Sequence, residues 1–252
     1  MANRKPTVLN RRSLLTGAFA VSALGGAALA RSPQPPDFDP GNRFRPDEAD
    51  APAPVTGERY VFFSQEEAAL MAALLDRIIP ADDLGPGADE AGVTFFLDRQ
   101  LSGGFGAGQS YYMQGPWSSG TKQQGYQTRL TPAQLYRTAI AGIEKHAQAH
   151  YGKSFADLDA SQQDAIVTAL EHHDVDLNGA PRDQFFSLLL TNASEGYFAD
   201  PLYGGNRNMA GWKMLGFPGA HYDYRPYVAQ HNKRLSIPPA GIYGGPAWEN
   251  GK

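Results

Sequence analysis

Apolar side chains recur at helical spacing along the middle of this chain, and nowhere do they alternate in the pattern of a half-buried strand. Ser64 and Glu67 have the S-x-x-E spacing of a capping box. Leu70, Met71, Leu74, Leu75, Ile78 and Ile79 follow on one face, and Pro80 ends the run. A turn over Asp82–Gly87 leads to a second helix through Phe95, Phe96 and Leu101. Thr131-Pro132-Ala133-Gln134 combines a cap, a first-turn proline and a closing glutamine, so a helix is predicted to about His150. Another is predicted from about Asp159 to His173. Pro181 opens the next, with Phe185, Phe186, Leu188, Leu189 and Leu190 as its buried part. A short one is expected near Asn208–Leu215. Without strand alternation or an internal repeat, the predicted fold is all-α: a single helical domain with long irregular loops and an extended C-terminal tail.

The ends differ from this middle. Arg4, Lys5, Arg11 and Arg12 precede an uncharged, alanine-rich run from Ser13 to Leu29, closed by Ala28-Leu29-Ala30. A twin arginine before a weakly apolar run and a small-residue cleavage site has the form of a Tat export signal. Residues 1–30 are therefore expected to be a leader that carries the chain out of the cytoplasm to the periplasm. The competing reading, a membrane anchor, needs about 20 strongly apolar residues. Residues 31–59, rich in Pro, Asp and Arg, are expected to be an extended linker. The helical domain is placed at 60–227 and the Pro/Gly-rich tail at 228–252.

Cleavage after Ala30 leaves 222 of the 252 residues and takes the net charge from −4 to −8, because the leader holds four basic residues and no acidic one. That charge argues against nucleic acid as a partner. The chain has no cysteine. It therefore carries no disulfide, no thiolate-held iron–sulfur cluster and no covalent c-type haem of its own.

Candidate chemical motifs fail on context. Asp174, Asp176, Asn178 and Gly179 resemble half of a calcium loop, but position twelve is Phe185 instead of glutamate. A helix–helix turn accounts for them. His146 and His150 share a helix face without a third ligand, and His172-His173 point apart. Gly103–Gly108 follows a helix and lacks the spacing of a dinucleotide loop. There is no Walker loop and no G-x-S-x-G elbow. Asp89 and Glu90 suit a helix N-terminus better than acid–base work. The loop 102–128, rich in Gly, Gln, Ser and Tyr, is unusually long.

The most informative segment is aromatic. Residues 196–227 hold eight rings interleaved with Gly and Pro: Tyr197, Phe198, Tyr203, Trp212, Phe217, Tyr222, Tyr224 and Tyr227. Such rings either cover a helical core or form a contact surface for another protein.

Two separated blocks resemble the gluconate 2-dehydrogenase subunit 3 family. The first runs through Phe63-Ser64-Gln65-Glu66-Glu67 and Leu74–Pro80 to Pro86-Gly87-Ala88 and Glu90–Val93. The second is Gly196–Asn206, followed by Gly211-Trp212 and Phe217-Pro218-Gly219. The resemblance covers roughly residues 60–225. It implies a non-catalytic small subunit with no cofactor or metal of its own. The implied partners are a large FAD-dependent dehydrogenase of the glucose–methanol–choline class, acting on a sugar, sugar acid or polyol, and a membrane-bound multihaem cytochrome c. The small subunit is then expected to stabilise the flavoprotein and co-export it through the Tat translocase. The expected interface residues are Tyr203, Trp212, Phe217, Tyr222 and Tyr224, and Trp212 is either a hot spot there or part of the core. Two other readings stand beside this one. One is a stand-alone periplasmic sugar-binding protein using Asp200, Asn206 and Asn208. The other is an export chaperone that leaves after translocation.

Overall fold

The computed structural model describes residues 59–118, 120–221, 224–235 and 237–242. The expected leader residues Arg11, Arg12, Ala28 and Ala30, the expected linker up to Glu58, Tyr222 and the residues from Tyr243 on lie outside these. Six α-helices carry the fold: α1 (Gln65–Ile78), α2 (Val93–Ser102), α3 (Pro132–Tyr151), α4 (Ala160–Glu171), α5 (Arg182–Phe198) and α6 (Ala210–Leu215). Short 3-10 turns punctuate the connections. Among the described residues there is no strand, only the isolated bridges Asp82–Gly85 and Gly219–Ala240.

Local signals set the helix ends. Ser64 Oγ accepts the Glu67 N–H, and the Glu67 carboxylate accepts the Ser64 N–H at 2.8 Å. Thr131 and Gln134 repeat the arrangement at α3, with Pro132 in the first turn. Asp159 and Gln162 repeat it at α4. α2 has no side-chain cap; Gly92, with φ 85°, precedes it.

The core forms where α1, α2, α3 and α5 turn their apolar stripes inward. Met71, Leu74, Leu75, Leu97, Leu135, Ile143, Phe185 and Leu189 are fully buried there. The Tyr136 ring meets Phe185 edge-on with centroids 5.4 Å apart. Its hydroxyl donates to Asn192 Oδ1 at 2.9 Å, and Asn192 in turn donates to Glu195. Burial, with the Glu195 carboxylate nearby, pushes the Tyr136 phenol well up, so it stays a proton donor.

α5 corrects one expectation. Phe185 and Leu189 are buried, Phe186 and Leu188 pack partly against the core, but Leu190 is 40% exposed. Successive helical residues turn by about 100°, so a run of apolar residues cannot all face inward. The inward stripe continues instead as Asn192, Ala193, Gly196 and Tyr197.

The first described residues are held by a buried carboxylate. Asp98 of α2 is fully buried and accepts the backbone N–H groups of Val61, Phe62 and Phe63 at 2.8, 2.8 and 2.9 Å. Around it, Arg99 donates to the Arg59 carbonyl at 2.8 Å. Arg137 of α3 donates to the Phe62 carbonyl, pairs with Glu67 and lies over the Phe62 ring. A carboxyl group this deep is tolerable only because three donors converge on it. Asp98→Ala would orphan those donors and is expected to lower unfolding stability by about 3 kcal/mol, read in urea denaturation.

Candidate functional site

The two sequence blocks, more than a hundred residues apart, meet at one end of the helical core. The Arg207 N–H donates to the Ala91 carbonyl at 2.9 Å. The Tyr197 hydroxyl donates to the Pro86 carbonyl at 2.8 Å. Burial first, then the Asp82 and Glu90 carboxylates, pushes the Tyr197 phenol up and keeps it a donor.

Backbone lies directly on backbone here. A side chain at Gly205 would collide with the Gly196 carbonyl of α5, and one at Gly196 would meet Phe96 and Val93 of α2 at 2.8 and 2.9 Å. Asn206 is fully buried and left-handed, with φ 45°. Its amide donates to the Ala199 carbonyl at 2.8 Å and accepts the Gly211 N–H at 2.9 Å. Asn208 and Met209 are left-handed too, at φ 55° and 54°. Three non-glycine residues in that region within four positions form a strained knot, which its many backbone bonds hold in place.

The knot mounts α6. Trp212 is buried, 6% exposed, and its Nε1 donates to the Phe198 carbonyl at 2.8 Å. Of the described residues expected to meet a partner, it is the one turned inward. Phe217 stands edge-on to it at 5.2 Å and is exposed. Tyr203 is exposed at the end of the 3-10 turn that Asp200 caps, and Tyr224 is exposed beside His221 and Tyr227.

Sequence reasoning missed three side chains on this end. Leu84 is 71% exposed, Leu215 is 63% exposed and Met214 is exposed. Leu84 and Met214 line one groove, between the 81–86 turn and α6, with Glu90, Arg207 and Lys213 at its edges. A signal existed: a leucine inside an Asp/Gly turn and Met-Leu beside Trp on a six-residue helix exceed what such short elements can bury.

Two of the three polar residues considered for a sugar are committed to backbone. Asp200 accepts the N–H groups of Leu202 and Ile242 at 2.9 and 2.8 Å, and both ends of the Asn206 amide are used. Asn208 alone faces the groove.

The remaining motifs are structural. His146 and His150 stack at 3.9 Å, and His150 Nδ1 lies 2.9 Å from the His146 carbonyl. Burial and the neighbouring His150 hold the His146 imidazole below its usual range. His172 follows α4 as its C-cap and His173 is left-handed. Asp174–Gly179 is a turn whose Val175 and Leu177 are buried, with Phe185 deep in the core. The glycines after α2 turn back so that the Gly106 carbonyl accepts the Ala133 N–H in the first turn of α3. Among the described residues no group of three or more His, Asp or Glu is placed to hold a metal.

Two glycine variants separate a packing requirement from a conformational one. Gly205→Ala forces backbone apart at the knot and is expected to cost about 3 kcal/mol. Gly152→Ala, left-handed at φ 67° but with open space around it, is expected to cost about 1 kcal/mol. Equal losses in thermal or urea unfolding would contradict the packing account.

Comparison with known proteins rests on one match. The family model for gluconate 2-dehydrogenase subunit 3 matches residues 65–219, from the start of α1 to the glycine that follows the knot and α6. No curated protein and no solved structure matches the chain. The match spans more than half of the chain and takes in the second block and the first from Gln65 on, and the chain belongs to the gluconate 2-dehydrogenase subunit 3 family.

Proposed function

We propose that this chain is the small subunit of an exported FAD-dependent sugar, sugar-acid or polyol dehydrogenase, and that it binds and stabilises the flavoprotein through the knot and α6. Family membership makes it an accessory subunit of a dehydrogenase complex. The observation that carries the finer reading is the face itself. A rigid, hydrogen-bonded mount presents Leu84, Met214, Leu215, Phe217 and Tyr203 to solvent, while Asp200 and Asn206 are turned to its own backbone. A surface of this kind gains by burying apolar area against a second protein.

The Arg11-Arg12 leader supports co-export. In this reading the Tat translocase moves both chains, folded, to the periplasm, where a membrane-bound multihaem cytochrome c takes the electrons. FAD and haem then belong to the partners, and this chain supplies binding. The export-chaperone reading shares every contact and differs only in whether the final complex retains the chain.

Affinity capture of the tagged chain from extract, with an absorption spectrum of the eluate, tests the proposal. A larger co-eluting chain with flavin absorption is expected. A colourless eluate with no second chain would sink the stable-subunit reading. Leu84→Arg combined with Met214→Glu is expected to weaken the complex by about 2 kcal/mol or more, with thermal unfolding of the free chain little changed. Trp212→Ala is expected to do the reverse first: it removes a buried ring and lowers stability by about 3 kcal/mol.

A further inference from the structure

Charge is segregated along the sequence. Residues 31–202 carry twelve lysines and arginines against twenty-four aspartates and glutamates, whereas residues 203–252 carry six against two. Between Tyr224 and Ile242 there is no acidic residue at all, and Arg225, Lys233 and Arg234 are basic.

The same stretch contains the longest exposed feature of the C-terminal part. A 3-10 turn over Arg225–Gln230 leads into His231 and the left-handed Asn232, φ 58°, and the Lys233 N–H closes the turn on the Gln230 carbonyl at 3.1 Å. All seven residues from Val228 to Arg234 are exposed, and Val228 is 73% exposed. Seven exposed residues in a row make a projection. Tyr224, exposed, stands at its base.

We propose that this projection seats the protein peripherally on an anionic phospholipid bilayer. Val228 enters the boundary between headgroups and acyl chains. Lys233 and Arg234 meet lipid phosphates, and their methylene stems lie along the apolar layer. Tyr224 is placed for the interfacial zone that amphipathic rings favour. Contact with lipid follows from the composition of the run. The exposed aliphatic Val228 lies within six residues of the exposed cations Lys233 and Arg234, and no carboxylate stands between Tyr224 and Ile242 in the sequence. Among the described residues no helix is long and apolar enough to cross a membrane, so the association proposed is with the surface. It is independent of the flavoprotein contact, which uses the groove between Leu84 and Met214.

Cosedimentation with vesicles tests this. Among the described residues every buried hydrophobic side chain lies from Phe63 to Ala240, so the chain from Arg31 onward keeps that core and avoids the apolar leader. It is expected to sediment with vesicles of phosphatidylethanolamine and phosphatidylglycerol, to stay in solution with phosphatidylcholine alone, and to be released by added salt. Lys233→Glu with Arg234→Glu, and separately Val228→Asp, are expected to weaken binding by about tenfold or more, whereas Leu190→Ser on α5 changes nothing. Failure to bind anionic vesicles, equal binding to neutral ones, or unchanged binding by the charge-reversed variant would overturn the proposal. So would a charge-reversed variant that still binds vesicles but no longer co-elutes with a flavoprotein, since that makes the projection a protein contact. No partner is present in the vesicle assay, so its outcome is separate from that of the subunit reading.

Discussion

Two backbones touch with no side chain between them where Gly205 rests on the Gly196 carbonyl, and the end of the molecule that carries α6 depends on that contact. It brings the segment after α5 back across α5 itself. Asn206 can then reach the Ala199 carbonyl and the Gly211 N–H, and Arg207 can reach Ala91 ahead of α2. The left-handed residues at 206, 208 and 209 cost energy that local preference would not accept. They persist because each of these bonds and the buried Trp212 requires the same turn. The knot is thus over-determined, and α6, only six residues long, inherits its rigidity.

Asp98 does for the start of the domain what the knot does for its end. Its partners are backbone groups some 35 residues earlier, so the contact exists only once α2 has docked on the core. Arg99 and Arg137 add contacts to the same few residues from two different helices. The point where the chain enters the domain is therefore fixed by tertiary structure. A domain held at both ends in this way suits the export in the folded state proposed from Arg11 and Arg12.

Much of the fold was legible because caps and periodicity are local. Ser64 with Glu67 and Thr131 with Gln134 mark helix starts through bonds spanning three residues, and the structure contains both boxes. What depended on distant neighbours was not legible. Asp98 in a helix reads as a surface residue until its three donors are in place. The run Phe185–Leu190 reads as apolar but for Ser187, yet helical geometry turns Leu190 outward. The glycines at 204 and 205 read as loop punctuation, although Gly205 works by letting another backbone approach. Trp212 illustrates the limit most clearly. Sequence left it either in the core or at a contact surface, and only the Phe198 carbonyl above its indole nitrogen places it inside.

The aromatic block is therefore divided between buried and exposed rings, and the division explains how so small a helix can present the recognition surface proposed for it. Tyr197 and Trp212 are anchored by hydrogen bonds to the Pro86 and Phe198 carbonyls and form the floor. Phe217 stands edge-on to that floor, and Met214 and Leu215 project from the same turn of helix. Side chains on a fixed floor have lost part of their freedom before any partner arrives. Less ordering cost then remains to be met on association, and more of the buried apolar area counts toward affinity. The strain in the knot and the exposure beside it are two aspects of one arrangement: the free chain holds, at its own expense, the shape that a partner's surface would otherwise have to impose.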